Sequence, residues 1–166
     1  RWWLEQEHVD LSGLIKVENV QTTRFELKYT NDLSDRTLQL KSKAPPITVD
    51  DLPVSLKARA FHVGPIAGEI SFEVVEELRK HAEVLSLDPQ GLVRDFDAAG
   101  NITLTALADN RILGMVDVLK SSAKEIIALT GSSDVNSAIK AVENFGVKIV
   151  IVTFGADGAA VSVGGS

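Results

Sequence analysis

The sequence predicts an α/β protein, a mostly parallel sheet with helices, fronted by a small β flap. Three observations carry that reading. From Ala58 onward, short aliphatic runs alternate with stretches of helical spacing; each run is closed by Gly, Asp or Thr; and before Pro45-Pro46 the pattern is polar–apolar alternation instead. Alternating strands and helices imply parallel pairing and a ligand site at the carboxyl edge of the sheet.

The elements follow in order. Residues 1–17 are expected to form an N-terminal helix or connector, 18–47 the β flap and 48–166 a partial α/β domain. Gln21 to Thr30 alternates, as does Thr37-Leu38-Gln39-Leu40-Lys41 after the turn-rich Asn31-Asp32-Leu33-Ser34-Asp35, which predicts two half-exposed antiparallel strands with their register open. Ala60 to Val63 is a short strand closed by Gly64-Pro65. Phe72 to His81 has helical spacing through Val74, Val75 and Leu78, and Val84 to Leu87 is a second strand closed by Asp88-Pro89. Ile102 to Leu107 is a strand candidate, with a helix entering near Asp109-Asn110 on the apolar positions Ile112, Leu113 and Val116. Asp117 to Lys120 is a further short strand. Ser121 or Ser122 can cap a helix that stops at Gly131, and Asp134 caps another that ends at Gly146.

The last stretch is the most informative. The aliphatic run Val147 to Val152 feeds a Thr153-x-Gly155-x-x-Gly158 turn, the pattern of a buried parallel strand delivering a phosphate-compatible loop.

Composition narrows the function. With 166 residues, 45% of them hydrophobic, one sizeable core is expected. A formal net charge of -6 argues against nucleic acid as the main partner, although it leaves room for a small phosphate ligand held by backbone amides. The absence of cysteine removes disulfides, zinc–thiolate sites and thiol catalysis, and fits a reducing cytoplasm. No apolar run has the length of a membrane span, and the three histidines lack metal-ligand spacing. The chain begins with Arg1 rather than Met, so a processed or partial chain is expected.

An ordered series of segments resembles the ribokinase-like, or PfkB, carbohydrate kinases: Thr22-Thr23 entering the polar strand pair, His62-Val63-Gly64-Pro65, Asp88-Pro89-Gln90-Gly91-x-x-Arg94, Asp117-x-Leu119-Lys120-x-Ser122-x-x-Glu125 and Val152-Thr153-x-Gly155-x-x-Gly158-Ala159. The Asp-Pro-Gln-Gly-x-x-Arg form is closest to archaeal and plant members, inositol-kinase-like ones among them. The resemblance implies a three-layer ribokinase-like (Rossmann-like) sheet with helices on both faces and a β lid that closes over the sugar and mediates homodimerisation. It also implies transfer of the γ-phosphoryl group of ATP, with Mg²⁺, to a hydroxyl of a sugar or polyol.

Position by position, it implies nucleotide-side roles for Lys120, Ser122, Glu125, Thr153, Gly155 and Gly158, with Glu125 organising Mg²⁺ through water. Substrate-side roles fall to Gly64, Asp88, Gln90 and Arg94. Ser122 departs from the family's Asn, and its hydroxyl reaches less far toward phosphate. The family's Gly-Ala-Gly-Asp motif, an anion hole with the general-base Asp, is not within residues 1–166 and is expected beyond Ser166, so no catalytic residue is assigned in the 166-residue chain and turnover is not expected of it.

Each assignment has a plainer rival. Glu125 can serve the helix dipole alone, Gly155 and Gly158 a tight turn between strands, Thr153 a strand end and Arg94 a surface ion pair; Asp88 can close an Asx-turn. His62 fits a core position and Trp2-Trp3 a packed terminal pair. A dinucleotide-binding oxidoreductase is disfavoured because Gly155-x-x-Gly158 lacks the first glycine of that fingerprint. A non-catalytic nucleotide-binding or lid-mediated dimerisation module is the stronger alternative.

Overall fold

A computed structural model describes residues 2–29, 31 and 36–164, with the side chain of residue 36 left aside. The expected turn over 31–35 therefore lies almost wholly outside the described residues. Ser166, the position beyond which the general-base Asp is expected, lies outside them too.

Nine strands and four α-helices are described. Helix α1 (Trp2–Gln6) is followed by β1 (Arg24–Tyr29) and β2 (Arg36–Ser42), and then by β3 (Ala58–Val63), α2 (Phe72–His81) and β4 (Ala82–Leu87). Next come β5 (Arg94–Phe96), β6 (Ile102–Leu104), β7 (Val118–Ser122), α3 (Ala123–Thr130), α4 (Val135–Glu143), β8 (Ile149–Thr153) and β9 (Ala159–Val163). Strands β3, β4, β7, β8 and β9 form one sheet in that order, the first four parallel and β9 antiparallel to β8.

The helix ends obey local chemistry. Ser122 caps α3 and Glu125 bonds back to it, closing a capping box, while Gly131 ends the helix in the left-handed conformation at φ 67°. Asp134 caps α4 through the Ser137 N–H.

The sheet is amphipathic. Val63, Leu85, Leu87, Leu119, Val150 and Val152 point to one face and join a single core with Val75 of α2, Ile126 and Leu129 of α3, and Ala138 and Val142 of α4. The mostly parallel sheet with helices is thus present, and α2, α3 and α4 all lie on that one face. The crossovers β3–α2–β4 and β7–α3–α4–β8 step the same way along the sheet, so right-handed connections carry their helices to the same side. A second helical layer is not found among the described residues. The opposite face carries Val84, Val161 and Val163, all exposed.

Two sequence expectations need correction. The strand candidate over 102–107 is one arm of a short antiparallel hairpin, β5–β6, because Asp97 accepts from the N–H groups of Ala99 and Asn101 and closes its turn. The helix expected after Asp109 is a 3-10 segment, Asn110–Met115, capped by the Asp109 carboxylate, which accepts from the Arg111 N–H. After the aliphatic strand β8, β9 folds back along it from Thr153–Ala159 to Ile149–Val163, as a tight turn between two strands requires.

The β1–β2 ribbon is antiparallel, as expected, from Arg24–Ser42 to Tyr29–Arg36. It rests on the β5–β6 hairpin. Leu40 N–H donates to Gly100 O at 2.8 Å, and Gln39 Nε2 donates to Ala99 O at 2.6 Å. The Phe25 and Phe96 rings meet at 6.1 Å.

Candidate functional site

At the carboxyl edge of the sheet, two turns are packed backbone to backbone. After β4, the Asp88 N–H donates to Val63 O at 2.9 Å and Gly91 N–H to Pro65 O at 2.9 Å, tying the Asp88-Pro89-Gln90-Gly91 turn to the Gly64-Pro65 turn after β3. A Cβ on Gly91 would lie 2.5 Å from both Pro65 C and Ile66 N, so only glycine permits this approach. The loop after Pro65 is held by Glu69, whose carboxylate accepts from the N–H groups of Ile66 and Ala67 at 2.8 and 2.7 Å. Glu69 carried no signal in the sequence pattern.

From this platform a hydrogen-bonded chain crosses to α3. Asp88 Oδ1 accepts from the Gln90 N–H at 3.2 Å, the Asx-turn geometry, and Oδ2 accepts from Lys120 Nζ at 2.9 Å. Gln90 Nε2 donates to Glu125 Oε1 at 3.3 Å; Glu125 Oε2 in turn accepts from the Ser122 N–H at 3.0 Å and the Ser122 hydroxyl at 2.7 Å. Glu125 is 7% exposed, a carboxylate that only such a set of donors makes tolerable at that depth. Five of the predicted positions, Asp88, Gln90, Lys120, Ser122 and Glu125, are therefore members of one network.

Thr153 pairs with Ser122 in the β7–β8 ladder, and its hydroxyl faces Ser121 O at 3.4 Å. Gly155 and Gly158 lie in the β8–β9 turn with φ of 65° and 95°, and the Phe154 N–H closes it onto Gly158 O at 2.8 Å. The tight-turn rival thus holds for both glycines as a structural role. Gly158, at φ 95° and ψ -144°, occupies backbone space that only glycine enters readily.

Gly64 directly follows β3, and Arg94 opens β5 beside the lid strand. A Cβ on Gly64 would sit 3.3 Å from His62 Nε2. Arg94 Nη1 donates to Ile66 O at 3.2 Å, and its guanidinium lies over the Phe25 ring at 5.7 Å, so it bridges the loop and the lid strand. His62 is not a core histidine: it is exposed on the open sheet face, its Nδ1 3.1 Å from Ser86 Oγ. Trp2 and Trp3 are likewise exposed rather than packed.

Among the described residues no group of three or more His, Cys, Asp or Glu side chains is placed to hold a metal ion. Both Glu125 oxygens already accept hydrogen bonds from Gln90 and Ser122.

The pfkB family carbohydrate kinase model matches residues 1–166. The chain belongs to that family. Among curated relatives, the inositol 3-kinase of Zea mays is 31% identical over 112 residues, covering 63% of the chain and 29% of the relative. The inositol 3-kinase of Arabidopsis thaliana is 31% identical over 116 residues, covering 64% and 33%. The chain thus spans about a third of the length of these relatives.

Among solved structures, a pyrophosphate-dependent kinase in the ribokinase family, complexed with a pyrophosphate analog and myo-inositol, is 29% identical with a TM-score of 0.73, covering 87% of this chain and 50% of that one. Fructokinase from Vibrio cholerae O395, bound to fructose, ADP and calcium, is 22% identical with a TM-score of 0.69, covering 99% and 55%. At that identity the second likeness establishes the fold. It is the ribokinase-like fold that the motif series implied.

Proposed function

We propose that this chain carries the acceptor and phosphate-binding half of a kinase that transfers a phosphoryl group to a hydroxyl of a sugar or polyol. The observation that carries the reading is the network from Asp88 and Gln90 to Lys120, Ser122 and Glu125, set at the carboxyl edge of the sheet in a chain matched along 1–166 by the carbohydrate kinase family. ATP is the proposed donor. Polyols of the inositol class are the favoured acceptors, because relatives at 31% identity are inositol 3-kinases.

The roles follow from chemistry. Lys120 and the turn amides around Gly155 supply positive potential for phosphate oxygens, and the Ser122 and Thr153 hydroxyls would join them by turning away from Glu125 and Ser121 O. Gly64, Asp88, Gln90 and Arg94 border the acceptor side, where a carboxylate receives hydroxyl donors and a planar guanidinium orients oxygens. Mg²⁺, when bound, neutralises donor charge, and Glu125 would hold it through water.

For residues 1–166 taken alone, the proposal is binding without turnover. Asp88 is paired with Lys120 and Glu125 is enclosed in its capping box, so neither is poised to take a hydroxyl proton. Two finer expectations belong to the same proposal: a cytoplasmic setting, supported by the lack of cysteine, and a homodimer through the lid, supported by exposed Leu27 and Tyr29 on one face of β1. Among the described residues no helix is long and apolar enough to cross a membrane.

The test is calorimetry of the chain with Mg-ATP, pyrophosphate and a sugar and polyol panel that includes myo-inositol and fructose, beside a phosphorylation assay. Weak binding of a phosphate donor and of a polyol without turnover is expected. Binding of neither class would favour the pure dimerisation module, and robust turnover would refute the inactivity.

A further inference from the structure

The Asp88–Lys120 pair joins a group assigned to the acceptor side to one assigned to the phosphate side. The β4–β7 ladder ends at Leu87–Leu119, so Asp88 and Lys120 stand side by side one step beyond it, while Lys120 still pairs with Ile151 of β8. Lys120 Nζ reaches Asp88 Oδ2 at 2.9 Å, with the two side chains 43% and 21% exposed. Water can therefore reach the pair, and a pair of this kind contributes up to about 1 kcal/mol, so a ligand can open it.

The two partners are not equally free to move. Asp88 Oδ1 is held by the Gln90 N–H, and Pro89 stiffens the backbone between them, so the carboxylate stays where it is. Lys120 is a charge on a flexible four-carbon stem. It shares a face of β7 with Ser122, and Thr153 is the residue paired with Ser122 on β8. An anion arriving beside those hydroxyls draws the ammonium toward itself. Asp88 Oδ2 then loses its one side-chain donor and becomes an acceptor for a polyol hydroxyl.

We propose that Asp88 and Lys120 form a charge latch that couples the two ligands: a phosphate donor opens the pair and thereby readies Asp88 to bind the acceptor. The latch rests on the kinase reading above and adds the coupling to it. Because such coupling is reciprocal, a polyol that engages Asp88 also makes Lys120 more available to phosphate. Opening a pair worth up to about 1 kcal/mol sets an upper limit of about five-fold on the mutual enhancement.

The experiment is calorimetry on the full chain with myo-inositol, alone and with saturating pyrophosphate, for the wild type, Lys120→Met, Lys120→Arg and Asp88→Asn. Thermal melts check that each variant folds. In the wild type, pyrophosphate tightens myo-inositol binding by up to about five-fold; Lys120→Met weakens pyrophosphate and loses the enhancement, and Lys120→Arg restores it. Asp88→Asn gives the sign that a plain structural clamp does not: pyrophosphate binds more tightly, because its competitor for Lys120 is gone, and the enhancement disappears. Independent binding of the two probes to the wild type overturns the latch, as does enhancement that survives in Lys120→Met or Asp88→Asn. If the wild type binds neither probe, the kinase reading itself fails and the latch with it.

Discussion

Asp117→Asn should destabilise the fold by up to about 2.5 kcal/mol at neutral pH and should lose most of that effect in acid. Asp117 precedes β7 at the end of the sheet away from the candidate site. Its Oδ1 accepts from Lys148 Nζ at 2.7 Å and its Oδ2 from the Leu85 N–H at 2.9 Å and from Arg79. Burial pushes the carboxyl up, but the Lys148, Leu85 and Arg79 hydrogen bonds and the Arg79 charge outweigh it and bring it from 3.8 down to about 2. The Asp117 side chain is 14% exposed but Lys148 is 74% exposed, so solvent screens part of the Lys148 contribution and the resulting energy is an upper value.

A depression of just under two units corresponds to about 2.5 kcal/mol at roughly 1.36 kcal/mol per unit. Because the folded value is the lower one, the contribution is complete above the ordinary value of 3.8 and is lost as the pH falls toward 2. About half should remain at pH 3 and little at pH 2. Urea denaturation of wild type and variant at pH 7, 3 and 2 measures this. Equal stability at pH 7, or a gap that does not close in acid, would refute the assignment.

Two further substitutions test the close backbone approaches. Gly100→Ala drives a Cβ into Leu40 O at a φ of 83°, so it should weaken the lid's attachment by at least about 1 kcal/mol; limited proteolysis should then cut within 18–47 faster, with little change in the core's melting. Gly91→Ala drives the post-β4 turn into Pro65 and Ile66, and a loss of about 1–3 kcal/mol in chemical denaturation is expected; unchanged stability would mean that the two turns part at no cost.

What the sequence made legible was chemistry between near neighbours. Ser122 and Glu125 lie three residues apart, so the capping box and its Gly131 stop are written in one short segment, as are the Asp134 cap and the aliphatic run of β8. The parallel order of β3 and β4 followed from a complete strand–helix–strand unit. The rest depends on long separations or on very short elements. Strands β5 and β6 are three residues each, too short for period-two alternation to register, and they exist because Asp97 closes their turn. The ion cluster at Asp117 needs Arg79 brought from α2 and Lys148 from the segment just before β8. Asp88 and Lys120 are each legible as site residues, but that they pair follows only once β4 and β7 are neighbours.

That neighbour relation is the thinnest seam in the sheet. Strands β4 and β7 share two paired positions, Ser86–Val118 and Leu87–Leu119, whereas β3–β4 and β7–β8 share five each. The cause is topological: between β4 and β7 the chain leaves to build the turn at Asp88, the β5–β6 hairpin that carries the lid, and the 3-10 segment. With so short a ladder, side chains at its ends hold the register. At one end Asp117 clasps Leu85, its own N–H donating to Leu85 O at 2.8 Å while its carboxylate takes the Leu85 N–H. At the other end Lys120 clasps Asp88. The end that must stay closed is the more deeply buried, with three donor residues on one carboxylate, and the end at the site is a single, water-accessible pair. This asymmetry lets a ligand open the site without parting the strands, because the fixed clasp at Asp117 keeps β4 and β7 in register while the clasp at Asp88 exchanges its partner.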